Sequence, residues 1–322
     1  MLIPALIVIV SLIVLVWSAD KFVYGAAGLA RNLGISPLVI GLTVVAFGSS
    51  APEMLVAASA SLNGNPDTAV GNALGSNITN IAMVLGITAL VRPLKVSSAT
   101  LKREFPLLLL ITFGVSAMFL DLNLSIIDGC LLVAGLIAFT GLMMRISMQE
   151  AKAGDPLITE AEAEIPSDLP TAKAILWLAI GLLLLLGSSE LLVTNAVELA
   201  HYFGVSDLVI GLTIIAIGTS LPELAASVAG ALRNEGDLAL GNIIGSNIFN
   251  LFAVLAMPAL LAPGKIDEQA LYRDIPIMIG LTVLLFIFCY GWRGKRILAK
   301  WEGGLLAACF IGYQILLFSN LR

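Results

Sequence analysis

"GLTVVAFGSSAPEMLVAASASLNGNPDTAVGNALGSN", residues Gly41 to Asn77, puts a single carboxylate, Glu53, directly after a proline inside an otherwise apolar stretch. The chain repeats the arrangement as "GLTIIAIGTSLPELAASVAGALRNEGDLALGNIIGSN" from Gly211 to Asn247, with Glu223 after Pro222. Between Gly41–Gly86 and Gly211–Ala256 there are 20 identities in 46 gapless positions, all at an offset of 170 residues. The register runs backwards, aligning "GISPLVIGLT" with "GVSDLVIGLT". It also runs forwards, pairing Pro93 with Pro263, Lys95 with Lys265 and Arg103 with Arg273. The chain is therefore a duplicated unit.

Of its 322 residues 59% are hydrophobic and only 12% are charged. A soluble domain carries about 25% charged residues, so the composition is that of a polytopic protein embedded in a lipid bilayer. In such a protein a net charge of −5 says little about nucleic acid, but no basic tract suggests it, so no nucleic-acid partner is expected. The only histidine, His201, excludes His-rich metal sites and His-relay catalysis, and Cys130, Cys289 and Cys309 lack paired spacing and read as small packing residues. Leu2 to Trp17 lacks the basic start of a secretory signal and reads as a first membrane span.

A spanning helix needs about 20 mostly apolar residues. Such runs occupy 2–19, 36–61, 68–91, 105–120, 126–147, 174–198, 207–231, 238–262, 274–291 and 302–319. The expected fold is all-α with ten transmembrane helices: a five-helix repeat over 1–147, an acidic cytoplasmic linker over 148–172, and a second repeat over 173–322. An odd number of spans per repeat inverts the second copy. Inverted repeats are a transporter architecture, with the substrate site near the midplane where the halves meet. With both termini outside, fourteen of the seventeen lysines and arginines fall on the inner side and only Lys265, Arg273 and Arg322 outside, as the positive-inside rule requires.

The repeated segment carries the chemistry. Pro52 has no N–H, so the Gly48 carbonyl four residues earlier loses its helical donor; Pro222 does the same to Gly218. Lipid supplies no replacement, so such backbone persists only where protein, water or a ligand satisfies it. An acidic residue at a helix centre costs about 2.5–3.5 kcal/mol on insertion scales, and Glu53 and Glu223 occupy equivalent mid-span places that an inverted repeat brings together. Two carboxylates with flanking carbonyls and hydroxyls form an all-oxygen site that suits Ca²⁺. They repel unless a cation or proton lies between them, so H⁺ is a competing ligand. In "GNALGSNITN" and "GNIIGSNIFN", Asn72, Ser76 and Asn80, and Asn242, Ser246 and Asn250, follow a four-residue step and point roughly one way. Their neutral oxygens would extend the site to smaller monovalent ions.

Each feature also has a structural reading. Gly71 with Gly75, and Gly241 with Gly245, form small faces for close helix packing. Asn72 and Asn242 serve either as ligands or as hydrogen bonds between helices. Thr43 and Thr213 bond back to their own helices. Asp20 and Glu190, and Ser18 and Ser188, are repeat mates near span ends that either face water or line an entry path.

At "GSSAPE…GNALGSNITN" and "GTSLPE…GNIIGSNIFN" the chain resembles the cation/calcium exchanger superfamily, specifically its sodium/calcium exchanger branch, along essentially its whole length. The short linker is similar to that of prokaryotic members. The resemblance implies an antiporter rather than an enzyme. It would exchange one Ca²⁺ for several Na⁺ (three as a rule, hence electrogenically), by alternating access in which the first and sixth spans slide, and would extrude Ca²⁺ across a prokaryotic plasma (inner) membrane. It implies no cofactor and no obligatory protein partner. Glu53 and Glu223 would be the ligands shared by Ca²⁺ and Na⁺, joined by backbone oxygens at Ala46, Ser49, Ala216 and Thr219, hydroxyls at Ser50, Ser76, Ser220 and Ser246, and the side chains of Asn80 and Asn250. Some relatives have an aspartate at the place of Asn250; two amides here argue against K⁺ co-transport. Proton-coupled members place a glutamate soon after their "GN", where this chain has Leu74 and Gly75, which favours Na⁺. The alternatives are an H⁺-coupled or other divalent-cation exchanger, a passive cation channel, and a membrane enzyme using Ser49 or Ser50, for which no base is placed.

Overall fold

The computed structural model describes residues 2–35, 37–97, 100–153, 169–203, 216–290 and 296–319. Most of the acidic linker, the beginning of the seventh expected span with Thr213, and the basic residues at 293, 295 and 322 lie outside these.

The chain begins with α1 (Leu2–Leu33), 32 residues without an internal proline after the first turn. At 1.5 Å per residue it is roughly 48 Å long, more than a bilayer's apolar core of about 30 Å. A turn at Pro37–Ile40 leads into α2 (Gly41–Ser49), wound as a π-helix over Gly41–Val45, and then α3 (Ala51–Leu62). The two are bent by 50° at Ser50, where the sequence places "GSSAPE". Ser50 has φ −84° and ψ 7°, and Pro52 lies in the first turn of α3, where its missing N–H is harmless. The long helix α4 (Pro66–Val91) follows, with π-helix over Asn80–Leu85. Strand β1 (Leu94–Lys95), a π turn at Thr100–Glu104, α5 (Phe105–Ala117), β2 (Asn123–Leu124) and α6 (Ile126–Ala153) complete the first half.

The second half repeats the first at the same offset. It comprises α7 (Thr171–Tyr202), α8 (Ala216–Thr219), α9 (Leu221–Leu232), α10 (Gly236–Leu261), β3 (Gly264–Lys265), a π turn at Ala270–Asp274, the helix Ile275–Cys289 as α11, β4 (Ile297–Leu298) and α12 (Lys300–Ser319). The helices α3 and α9, and α4 and α10, start and end 170 residues apart. The turn after each broken helix also repeats, with Gly64 at φ 76° and Asn234 at φ 66°. Glycine and asparagine are the two residues that enter this left-handed region at little cost.

Burial sorts the helices into two sets. In α4 and α10, 78% and 83% of the apolar window is buried; in α1 and α7 the figures are 28% and 22%. So α4 and α10 form the centre, and α1 and α7 are a peripheral pair. Those two pack along each other. The Trp17 and Trp177 rings meet edge-on at 6.2 Å, with the Lys21 ammonium over both. A Cβ on Gly25 would stand 2.4 Å from the Leu178 backbone nitrogen, and one on Gly181 2.5 Å from that of Phe22; only glycine permits this approach. The buried side of α1 mixes small residues (Ala19, Ala26, Ala27, Ala30) with Leu15, Phe22 and Val23 and belongs to a hydrophobic cluster separate from the main core.

Among the described residues six helices are long and apolar enough to cross a membrane, or seven when the bent α2–α3 pair is one span. The sequence reading differs from the structure in three ways. Among the described residues Gly71 and Gly75 meet no neighbour within 4 Å of where a Cβ would stand. Their mates do: a Cβ on Gly245 would lie 2.6 Å from the Leu42 carbonyl, and Gly41 is similarly close to the Leu238 carbonyl. Cys130 is exposed rather than packed. Finally, residues expected to be loop form short antiparallel ladders between the halves, β1 with β4 and β2 with β3.

Candidate functional site

The breaks α2–α3 and α8–α9 lie where the two halves meet. Glu53 and Glu223 stand in the first turns of α3 and α9 and are 1% and 0% exposed. The N-terminal end of a helix favours negative charge, so each break both delivers the carboxylate to the interior and lowers the cost of its charge. Ser50 and Ser220 occupy the hinges themselves, in nearly identical conformations (φ −84° and −90°, ψ 7° at both), and both are fully buried.

The contact that joins the halves is Ser50 Oγ donating to Glu223 Oε1 at 3.1 Å, although Ser50 is only three residues from Glu53. A second crossing runs from Ser49, whose hydroxyl donates to Asn242 Oδ1 at 3.1 Å and lies 3.4 Å from the Ser246 hydroxyl. The amides of Asn72 and Asn242 make the same bond in each half: Nδ2 donates to the backbone carbonyl of Glu53 at 3.0 Å and of Glu223 at 3.4 Å. Of the two roles open to these asparagines, the nitrogen of each is engaged in bracing the glutamate's own backbone. Asn242 Nδ2 also reaches Ser227 Oγ at 2.9 Å.

Asn80 and Asn250 are the first residues of the π segments in α4 and α10, and both are fully buried. A π turn widens the helix by one residue and is frequent at functional sites. Ser76 and Ser246 lie one turn earlier, 5% and 0% exposed. Ala46 closes the end of α2's π turn; its carbonyl takes the Ser50 N–H at 3.0 Å and lies 3.4 Å from the Ser49 hydroxyl. Ala216 and Thr219 bound α8. At the first break the carbonyls of Ala46 and Gly48 take backbone N–H donors of the cap. At the second, Ser189 of α7 donates its hydroxyl to the Gly218 carbonyl at 3.2 Å, supplying the donor that Pro222 lacks.

Eight buried side-chain atoms here have no hydrogen-bond partner among the described residues: both oxygens of Glu53, Glu223 Oε2, Ser220 Oγ, and both amide atoms of Asn80 and of Asn250. Native folds pair nearly all such atoms, and each orphan costs about 1–3 kcal/mol, more when charged. The cluster falls on residues that the sequence alone singled out. Among the described residues no group of three or more His, Cys, Asp or Glu gathers into a metal cluster, so negative charge at this place comes from two carboxylates and the rest of the donor set is neutral.

Sequence reasoning missed Ser189 and Ser227. Their repeat mates are Ala19 and Ala57, so a residue-by-residue comparison of the halves was the available signal. The mates Asp20 and Glu190 also part company. Asp20 pairs with Arg233 at 2.5 Å, and Arg233 stacks over Tyr24, whereas Glu190 is exposed.

The family described as sodium/calcium exchanger protein matches residues 3–145 and 173–319. CaxA of Alkalimonas amylolytica, named as a candidate antiporter, is 54% identical over 99% of this chain and 100% of its own length. The inner membrane protein YrbG of Escherichia coli (strain K12) is 43% identical over 99% and 98%. A solved structure of the sodium-calcium exchanger NCX_Mj, soaked with Na⁺ and Ca²⁺, superposes with a TM-score of 0.83 at 31% identity, covering 100% of this chain and 99% of that one.

Proposed function

The chain belongs to the sodium/calcium exchanger family, and we propose that it is a secondary active antiporter carrying Ca²⁺ and Na⁺ alternately through one shared site. The observation that carries this reading is the Ser50–Glu223 bond across the halves, set among the orphaned oxygens of Glu53, Glu223 and Ser220. Glu53 and Glu223 hold the cations, with Ser50, Ser220, Ser76 and Ser246 and the carbonyl oxygens of Asn80 and Asn250 completing the shell. Backbone oxygens at Ala46, Ser49, Ala216 and Thr219 join as the hinges adjust, and Asn72 and Asn242 brace the two glutamates. Two negative charges balance one Ca²⁺ or more than one Na⁺, but not both together, and that exclusion obliges exchange. With three Na⁺ per Ca²⁺ one net charge crosses, to which a 100 mV potential contributes about 2.3 kcal/mol. Inward Na⁺ then drives Ca²⁺ out.

The ten-span reading counts α5 with its π turn, α9 with the residues before it, and α12 as spans besides the seven. The β ladders support it. Two paired strands lie on one side of a membrane, and this count places β1 after three crossings and β4 after nine, β2 after four and β3 after eight. Both pairs are separated by an even number. With outer termini, β1 and β4 are cytoplasmic. The burial of α1 and Leu185 of α7 in a cluster separate from the main core supports movement of α1 and α7 as a pair against that core. The likeness to YrbG supports a bacterial inner membrane.

The test is Ca²⁺ flux in reconstituted vesicles with Na⁺ on the opposite side, compared with a pH gradient alone. Flux driven by Na⁺ upholds the proposal. Flux driven by pH and indifferent to Na⁺ replaces it with an H⁺-coupled exchanger, and flux needing no counter-ion with a channel.

A further inference from the structure

The halves of the site are not chemically alike. Asn242 Nδ2 faces two partners, the Glu223 carbonyl and the Ser227 hydroxyl. A carbonyl only accepts, so the amide nitrogen must point there and Oδ1 must point the other way, towards Ser49, which donates to it. Ser227, Asn242, Ser49 and Ser246 thus form a continuous chain that crosses between the halves, with every member fully buried. In the first half the mate of Ser227 is Ala57, also fully buried, so the Asn72 amide, which donates to the Glu53 carbonyl, has no hydroxyl at that position. Independently, Ser189 fixes the Gly218 carbonyl in the second half, where the first half has Ala19.

We propose that Ser227 is a positioning residue that locks the Asn242 amide and so presents a preorganised set of neutral oxygens, Asn242 Oδ1 with the Ser49 and Ser246 hydroxyls, as a Na⁺ subsite in the second half. This rests on the shared-site reading above. Neutral oxygens contribute relatively more to binding a monovalent ion, whereas Ca²⁺ draws most of its binding from the two carboxylates. Ser227 touches no carboxylate oxygen, so its influence falls on Na⁺.

The experiment measures, in proteoliposomes, the Na⁺ concentration for half-maximal inhibition of Ca²⁺/Ca²⁺ exchange and the Ca²⁺ concentration for half-maximal rate. For Ser227→Ala the Na⁺ value rises about fivefold, equivalent to roughly 1 kcal/mol for one lost hydrogen bond, while the Ca²⁺ value stays within twofold. The near-isosteric pair Ser227→Thr and Ser227→Val isolates the hydroxyl should the alanine variant not fold: Thr keeps the Na⁺ value within twofold and Val raises it about fivefold. Equal shifts for Na⁺ and Ca²⁺, or no difference between Thr and Val, overturns the proposal. The unsubstituted protein in the same assay tests the function separately, since Na⁺ that does not inhibit its exchange removes the shared site itself.

Discussion

Replacing Glu53 by glutamine preserves volume and removes one of two charges that are buried at the meeting of the halves. Both Glu53 oxygens are without a partner among the described residues, and an amide leaves two atoms unpartnered in the same place, so the orphan penalty is unchanged. In a chain of this size 1 kcal/mol moves the melting temperature by roughly 2 °C, so in chelator Glu53→Gln and the original protein melt within about 2 °C of each other. Adding Ca²⁺ separates them. The original protein gains about 2.7 kcal/mol at a hundredfold excess over Kd, roughly 5 °C, and the variant gains little. Thermal unfolding followed by intrinsic tryptophan fluorescence, with chelator and with Ca²⁺, reads both effects, and vesicle flux reads the loss of exchange. A variant that keeps Ca²⁺-induced stabilisation and Na⁺-dependent flux would refute the assignment of Glu53.

Gly25→Ala forces a methyl against the Leu178 backbone and should lower the melting temperature by several degrees, whereas Gly71→Ala, which meets nothing within 4 Å among the described residues, should shift it by under 1 °C. Asp20→Asn and Arg233→Gln break a part-exposed pair between α1 and α9, with side chains 38% and 31% exposed. Each should change the Ca²⁺/Ca²⁺ exchange rate by no more than about fivefold, and the double variant no more than either single one, as expected for a pair worth up to about 1 kcal/mol. Gly64→Asn should be tolerated and Gly64→Val should destabilise measurably in the same melt, because φ 76° admits asparagine far more readily than a β-branched residue.

The duplication, the break at Ser50 and the buried glutamates were legible because proline, glycine and an intramembrane acid each carry a backbone or solvation cost that only a narrow set of structures meets. Even the substitution of Asn234 for Gly64 follows from backbone conformation. The partners were not legible. Nothing in "GSSAPE" says that Ser50 turns away from the glutamate three residues on and bonds the one in the other half, because that depends on how two distant helices pack. The π segments that begin at Asn80 and Asn250 carry no composition of their own. Gly71–Gly75 and Gly241–Gly245 read identically, yet among the described residues a close neighbour stands only against the second face.

The central claim is that two carboxylates from two inverted halves form one site used in turn by Ca²⁺ and Na⁺. Its most direct test is Ca²⁺ uptake into proteoliposomes loaded with Na⁺, measured at imposed membrane potentials and fixed pH. The account predicts uptake that requires the outward Na⁺ gradient, follows the potential with the sign of one net charge, and disappears in Glu53→Gln and Glu223→Gln alike. Uptake of equal rate without internal Na⁺, or retained by either variant, would contradict it.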